Sequence, residues 1–540
     1  MTLADHLASA DAPNLRHVDL PDLNELFARA KLAIKDAASH QVAAGAHVGN
    51  MILTAPTGSG KTEAALVWAA RQRMQGLWPS NVVYVLPYQA SLIAMSRRLK
   101  RSLNTEVGLL HGRSAQVLYR ELVAEATPNQ AERRARRATD LARLRQPCVT
   151  ASTPYQLLRG AYRLRGYESQ WMSLSGALLI VDEIHAYETK RLGLLLGLLA
   201  ALVTHWDTRV ASITATLPTW LRQLLRETIR PQEIEASSEV YEQFQRHSVS
   251  LLNGTLDSPP VLDLICNDVR NPLSVLVVVN TIKDAQAMWA TLSSRLPEHN
   301  VLILHSRFTS DDRLRCEEQI MTRLNGTRNG GKPVVLVSTQ AVEVSLDLDF
   351  DTLYTQPAPL EALAQRFGRV NRRGRKRIVP VHVLTEPQGG QGIYDPRLVE
   401  RALDVLTQHD GEPIDEGRLT TWLNDVYDGG LGDEYMSKVR ASKKEFEQVC
   451  LAELRAFESD DAVQDAFEAL FDGTEVLPAS LEAKFDDRME QSVLSAHGLL
   501  VPMPYTALHR YRDKIRIRPV DRIKVIDLPY DQNLGLQLTR

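Results

Sequence analysis

The stretch Thr54-Ala55-Pro56-Thr57-Gly58-Ser59-Gly60-Lys61-Thr62-Glu63 reads as a strand end, a tight loop and the opening turn of a helix in immediate succession. Glycine-permitted backbone lets successive N–H groups wrap a phosphate, and the helix opening near Lys61 adds its positive end. The Lys61 ammonium can reach β- and γ-phosphates, and the Thr62 hydroxyl suits Mg²⁺. Ala55 stands where the usual phosphate-loop pattern has its first glycine, but Gly58 and Gly60 keep the bends where a Cβ would crowd the ligand. Ala55, Thr57, Gly58, Ser59, Gly60, Lys61 and Thr62 are therefore the expected nucleotide-binding residues. Gln41, shortly upstream, is the candidate for reading adenine.

The sequence around this loop repeats the same form. Met51–Leu53 is the strand that feeds it, and Thr62–Arg73 is its helix. Val82–Leu86 is a second strand, stopped by Pro87, which cannot donate to a sheet ladder. Ligands gather at the carboxyl ends of strands in open parallel sheets, so Pro87 and Gln89 are expected against a nucleic-acid backbone. Val107–Arg113 repeats strand and polar turn, adding Arg113 to that surface. Residues 114–147 read as a charged helical insertion or helical pair. Thr150, Ser152 and Thr153 are small hydroxyls near a helix start, suited to phosphate oxygens.

Ala177–Val181 is an apolar run that leads directly into Asp182-Glu183-Ile184-His185, the pattern of a fully buried strand with acids at its tip. ATP hydrolysis needs one carboxylate toward Mg²⁺ and one to orient or deprotonate the attacking water. Asp182 and Glu183 fit those roles in that order. Thr214 and Thr216, at the end of the strand Val210–Thr214, are expected to bond the Asp182/His185 region and sense the γ-phosphate. A sheet of short β–α units is complete by about residue 230.

A polar stretch at 231–250 reads as a linker, and a second α/β series follows at Ser274–Thr281, Val301–Arg307 and Pro333–Gln340. This series has no phosphate loop of its own, so it is expected to close on the first domain's nucleotide. Asn280, Thr339 and Gln340, at or beyond strand tips, are candidates for the nucleic-acid groove, and Asp347 for ribose or a Mg²⁺-bound water. Arg366, Arg369 and Arg372 recur every third residue, and on a helix they would share nearly one face, aimed into one cleft. A guanidinium binds phosphate bidentately and stays charged when desolvated, so Arg369 and Arg372 are the expected arginine fingers. Residues 386–540 read as a helical linker and a small α+β accessory domain, with Arg516, Arg518 and Lys524 as possible phosphate contacts.

Composition excludes more than it assigns. With 540 residues the chain exceeds one core, and a formal charge of −3 gives no global pull toward nucleic acid, leaving only local basic groups. The four cysteines have no pair spacing, which implies neither a zinc site nor a disulfide framework and fits a reduced, cytoplasmic setting. The longest apolar run, Leu192–Val203, falls short of the roughly 20 residues that span a bilayer and reads as a buried helix.

Taken together these residues resemble the two-lobed motor of superfamily 2 helicases, DExH branch. Ala55–Thr62 resembles that family's ATP-binding motif, Asp182–His185 its DExH box, Thr214-Ala215-Thr216 its coupling motif and Gln365–Arg372 its arginine-finger motif. Within the branch the chain is similar to the CRISPR-associated helicases of type I interference systems. Three stretches carry this: Leu109–Ser114, Ser338–Asp347 continuing to Phe350-Asp351, and Gln365–Gly374.

The resemblance implies an α/β fold with two tandem RecA-like domains at 49–230 and 251–385, after a lead-in at 1–48. It also implies a nucleotide contact at Gln365, and ATP- and Mg²⁺-dependent 3′→5′ movement on single-stranded DNA. The DNA would be the displaced strand of an R-loop, reached through a crRNA-guided surveillance complex. Fuller relatives carry an N-terminal HD nuclease. Here the sole His-Asp pair, His409-Asp410, precedes Gly411 and reads as a turn, so cleavage is expected from a separate HD nuclease subunit. A general DExH helicase acting on RNA or repair intermediates, and an ATP-gated clamp, are the alternatives.

Overall fold

The computed structural model describes residues 20–29, 37–74, 81–144, 147–328, 331–344, 348–372, 374, 376–387, 392–455, 464, 467–468, 470 and 473–538. They divide into two compact units. One is drawn from Met1–Ser114, Arg136–Phe244 and Asp415–Ala469, the other from Ala115–Ala135, Gln245–Ile414 and Leu470–Arg540.

The first unit is built on seven strands: β1 (Met51–Thr54), β2 (Val82–Val85), β3 (Val107–Leu110), β4 (Val149–Ser152), β5 (Leu178–Asp182), β6 (Arg209–Thr214) and β7 (Gln232–Glu235). They lie in the order β3-β4-β2-β5-β6-β1-β7, every pair parallel. Helices cover parallel sheets on both faces, which is why β5 opens on Leu-Leu-Ile-Val and every residue of β1, β2, β4 and β5 is buried. The order places β5, β6 and β1 side by side, so three carboxyl ends carrying Asp182, Thr214 and the phosphate loop become neighbours.

The second unit repeats the plan with β8 (His247–Leu252), β9 (Val275–Val278), β10 (Asn300–Leu304), β11 (Val334–Ser338), β12 (Thr352–Thr355), β13 (Val379–Leu384) and β14 (Pro413–Ile414). Their order is β10-β11-β9-β12-β13-β8-β14, parallel except for the last strand. A four-stranded sheet follows: β15 (Gly473–Pro478), β16 (Val501–Pro504), β17 (Ile515–Ile517) and β18 (Lys524–Ile526), in the order β16-β15-β18-β17. Val476, Val501, Met503, Ile526 and Leu536 pack on one another there, with Leu477, Phe485 and Val525 in a second cluster.

Three expectations change. Residues 231–250 are not a linker: they hold β7, the helix Ser238–Gln243 and the start of β8, and the units divide at Phe244/Gln245. Gln-Glu-Ile-Glu looks like a tether, but it is an edge strand beside β1 with only Ile234 buried, and charged edge strands resist unwanted pairing.

Residues 386–540 are not one block either. The helix Leu431–Phe446 belongs to the first unit and packs on the apolar helix Thr189–His205. A Cβ on Gly193 would lie 2.7 Å from Ser442 Cβ and Val439 O, so the absent side chain sets how closely the two helices approach. The insertion at 114–147 is also divided. Tyr119, Ala131 and Ala135 pack with Leu494, and Arg120 pairs with Asp311 at 2.5 Å, all within the second unit.

Candidate active site

Gly58 and Gly60 take φ of +91° and +90°, as the phosphate-loop reading requires. The helix Ser39–Ala46 braces the loop from outside: Gln41 Nε2 donates to Gly60 O at 3.3 Å, and His40 Nε2 lies 3.1 Å from Ser59 O. A Cβ on Gly60 would fall 2.1 Å from Gln41 Nε2. Gln41 Oε1 accepts from Ala38 N at 2.9 Å, so both ends of the amide that was the adenine candidate are used within the fold. Ala55 is buried, and its carbonyl accepts from Lys61 Nζ at 2.9 Å. Thr57 N donates to Glu416 Oε1 at 3.2 Å, a contact from the returning segment that local sequence gives no sign of.

At the tip of β5, Asp182 is 8% exposed. Its Oδ2 accepts from the Tyr84 hydroxyl at 2.6 Å, while its Oδ1 is buried with no hydrogen-bond partner. Burial first, and the charge of Glu183 second, push the Asp182 carboxyl up from the usual carboxylate range; the Tyr84 bond and Lys61 pull the other way. An orphaned carboxylate oxygen in the same site as the Thr62 hydroxyl is an oxygen-only donor set, which fits Mg²⁺ retaining most of its waters. Glu183 sits in the left-handed region at φ +54°, its backbone N bonded to Ile213 O at 3.1 Å. Its Oε2 lies 3.4 Å from His185 Nδ1.

His185 Nδ1 is 2.8 Å from Thr214 Oγ1, which donates to Thr216 O at 2.8 Å. Because that hydroxyl spends its proton on Thr216, the network assigns the imidazole proton to Nδ1. The expected link between Thr214 and the Asp-Glu-Ile-His segment is thus present, and Thr216 takes part through its backbone carbonyl.

In the second unit Arg366 is fully buried. Its guanidinium donates to Glu343 Oε1 at 2.8 Å, Thr355 Oγ1 at 2.7 Å, Gln356 O at 3.1 Å, Asn280 Oδ1 at 3.1 Å and Tyr394 Oη at 3.1 Å. The helix Leu360–Phe367 ends before Gly368, so Arg369 and Arg372 do not share a helical face with Arg366, contrary to the spacing argument. Arg369 donates through Nη2 to Glu343 O, and Arg372 N donates to Asp349 Oδ1 at 2.8 Å. Gln365 is half-buried in the last turn of that helix. Asp347 lies outside the described residues.

Several nucleic-acid candidates also move inward. Thr150 is fully buried within β4, where its side chain faces Gly108 of β3 and has no face toward a ligand. Asn280 is 6% exposed, with Nδ2 on Pro357 O at 2.9 Å and Oδ1 on Arg366, so it anchors that network and does not face a groove. Gln340 Nε2 donates to Asn280 O at 3.1 Å. Thr339 and Thr153 are nearly buried, with backbone N–H groups on Leu304 O and Leu110 O. Gln89 is exposed at the first turn of the helix Gln89–Leu103, and Pro87 and Arg113 are half-buried at the ends of β2 and β3. Arg516 and Arg518 pair with Glu482, Asp486 and Asp521, which neutralises the basic face expected there.

Comparison with known proteins falls on the same regions. The family described as DEAD/DEAH box helicase matches residues 33–224, and that described as CRISPR-associated nuclease/helicase Cas3, C-terminal, matches residues 272–375. The CRISPR-associated endonuclease/helicase Cas3 of Escherichia coli (strain K12) is 29% identical over 442 residues, covering 72% of this chain and 49% of that protein. A putative Cas3 of Myxococcus xanthus is 30% identical over 409 residues, covering 70% and 51%. The chain spans about half the length of the curated relatives it matches. In fold it is similar to the crystal structure of T. fusca Cas3-ATP, with TM-score 0.73 at 19% identity over 99% of this chain and 74% of that one. The two tandem parallel sheets, the phosphate loop beside the Asp-Glu-Ile-His strand tip, and these matches lead to one conclusion: the chain belongs to the Cas3 family of CRISPR-associated helicases.

Proposed function

We propose that this chain hydrolyses ATP and uses the turnover to move 3′→5′ along single-stranded DNA, unwinding target DNA in a type I CRISPR interference system. The observation that carries the reading is the convergence, at the adjacent ends of β1, β5 and β6, of a phosphate loop, a carboxylate pair and the Thr214–His185 link. The loop N–H groups and Lys61 bind and orient the β- and γ-phosphates. Asp182, through Oδ1, and Thr62 would hold Mg²⁺, which would supply screening of the phosphate charge. Glu183 aligns the attacking water and takes its proton. His185 and Thr214 tie that carboxylate to β6, giving the water-positioning group a mechanical connection to the sheet. Arg369 and Arg372 supply guanidinium charge to the transferring phosphate during turnover. Pro87, Gln89 and Arg113 meet the DNA backbone.

The substrate in this reading is the displaced strand of an R-loop, presented by a crRNA-guided surveillance complex in the cytoplasm, with a separate HD nuclease subunit cutting what is exposed. Thermus thermophilus and Thermoproteus tenax relatives carry helicase names of the same family, which supports the assignment of the motor. A strand-displacement assay tests it. With ATP and Mg²⁺, a DNA duplex bearing a 3′ single-stranded tail is expected to open and one bearing a 5′ tail is not. Opening only of RNA duplexes would favour a general DExH helicase, and opening of neither would refute the motor.

A further inference from the structure

Tyr84 lies beside Asp182 and has no part in the mechanism above. Tyr84 is the only polar residue in the Val-Val-Tyr-Val strand β2, and it is fully buried. Its register partner across β2 and β5 is Ile180, two residues before Asp182 on the same face of the sheet. A strand advances roughly 6.6 Å over two residues, close to the reach of a phenol lying along the strand, so the hydroxyl arrives at the Asp182 carboxylate and not at a backbone group. The bond is 2.6 Å, to Oδ2, and the other oxygen, Oδ1, is left buried without a partner. Burying an unpaired hydroxyl is costly, and phenylalanine would fill the same space in a strand whose other residues are all valine. The hydroxyl meets the carboxylate, with the Thr62 hydroxyl as a second neighbour.

We propose that Tyr84 is a positioning residue of the nucleotide site: its phenol pins one oxygen of Asp182, so that the carboxylate plane stays fixed with the other oxygen presented to Mg²⁺. This rests on the reading of Asp182 as the residue that holds Mg²⁺. Groups that orient a metal-holding side chain typically alter metal affinity by about 10–100-fold when removed, without touching the ion. Tyr84 makes no direct contact with nucleotide in this scheme, so its loss acts on the Mg²⁺-dependent part of binding alone.

The test is Tyr84→Phe in the full chain, with a fluorescent ATP analogue titrated at a series of Mg²⁺ concentrations and again in EDTA. The expected result is a Mg²⁺ requirement raised about tenfold, with analogue affinity in EDTA and the melting midpoint both unchanged. In an Asp182→Ala chain, adding Tyr84→Phe is expected to change the Mg²⁺ requirement no further, because the carboxylate it positions is gone. An unaltered Mg²⁺ requirement overturns the proposal. So does an equal loss of affinity with and without Mg²⁺, or failure of Tyr84→Phe to fold, since either makes the hydroxyl a structural group. If the wild-type chain itself shows no Mg²⁺-supported binding of the analogue, it is the nucleotide-site reading that fails.

Discussion

Glu183→Gln is expected to leave ATP binding intact and to lower turnover by about 10²–10⁴-fold, the range for removal of a positioned general base. The substitution keeps the size and planarity of the side chain, and the loop, Lys61 and Asp182 are untouched, so ground-state contacts to the nucleotide survive. What is lost is the proton acceptor. The amide can still donate to or accept from the water, but cannot take its proton as the oxygen–phosphorus bond forms. The backbone of Glu183 is held in the left-handed region by the Ile213 bond, so the side chain's placement depends on the strand tip and not on its own charge. Steady-state ATPase rates set beside equilibrium binding of ATP by the same preparation separate the two effects. Full activity in Glu183→Gln would remove Glu183 from the chemistry.

Arg366→Ala destabilises the second unit by about 3–5 kcal/mol, because it strands a buried carboxylate. Glu343 is itself buried; desolvation raises its pKa, and Arg366 is the largest influence lowering it. Removing the guanidinium also leaves Thr355, Asn280 and Tyr394 short of a donor. Arg366→Lys recovers only part of this, since one ammonium cannot reproduce a planar fork that reaches five acceptors. Replacing the ion pair together, as Arg366→Met with Glu343→Leu, costs much less than Arg366→Ala, because no charge is left unpaired. Urea unfolding midpoints for the three variants measure the ordering. Equal midpoints for wild type and Arg366→Ala would show that the arginine is not the hub of this network.

The contrast between those two residues shows what the sequence made legible. Asp182 and Glu183 were readable because chemistry and fold agree there: an apolar run dictates a buried strand, and acids at its end have only a ligand-facing edge to occupy. The same logic puts the loop after β1 and Thr214 at neighbouring strand ends. Arg366 was misplaced because a repeat of arginines every third residue looks like an exposed helical face, and only the helix end before Gly368 separates it from Arg369 and Arg372. Its burial depends on Glu343, Asn280 and Tyr394, which lie from 23 to 86 residues away in the chain. Thr150 and Asn280 failed similarly, since a small polar residue near a strand tip serves the sheet as readily as a ligand. β7 reads as a tether in sequence because an edge strand buries little. Tyr84 carries no signal in sequence because tyrosine is an ordinary strand residue, and its partner follows only from the adjacency of β2 and β5.

ATP consumption by the purified chain, with and without single-stranded DNA and beside Lys61→Ala under the same conditions, tests the motor most directly. Turnover that rises severalfold with DNA in the wild-type chain, and disappears together with nucleotide binding in Lys61→Ala, is the predicted result. Turnover in Lys61→Ala equal to that of the wild-type chain would contradict it.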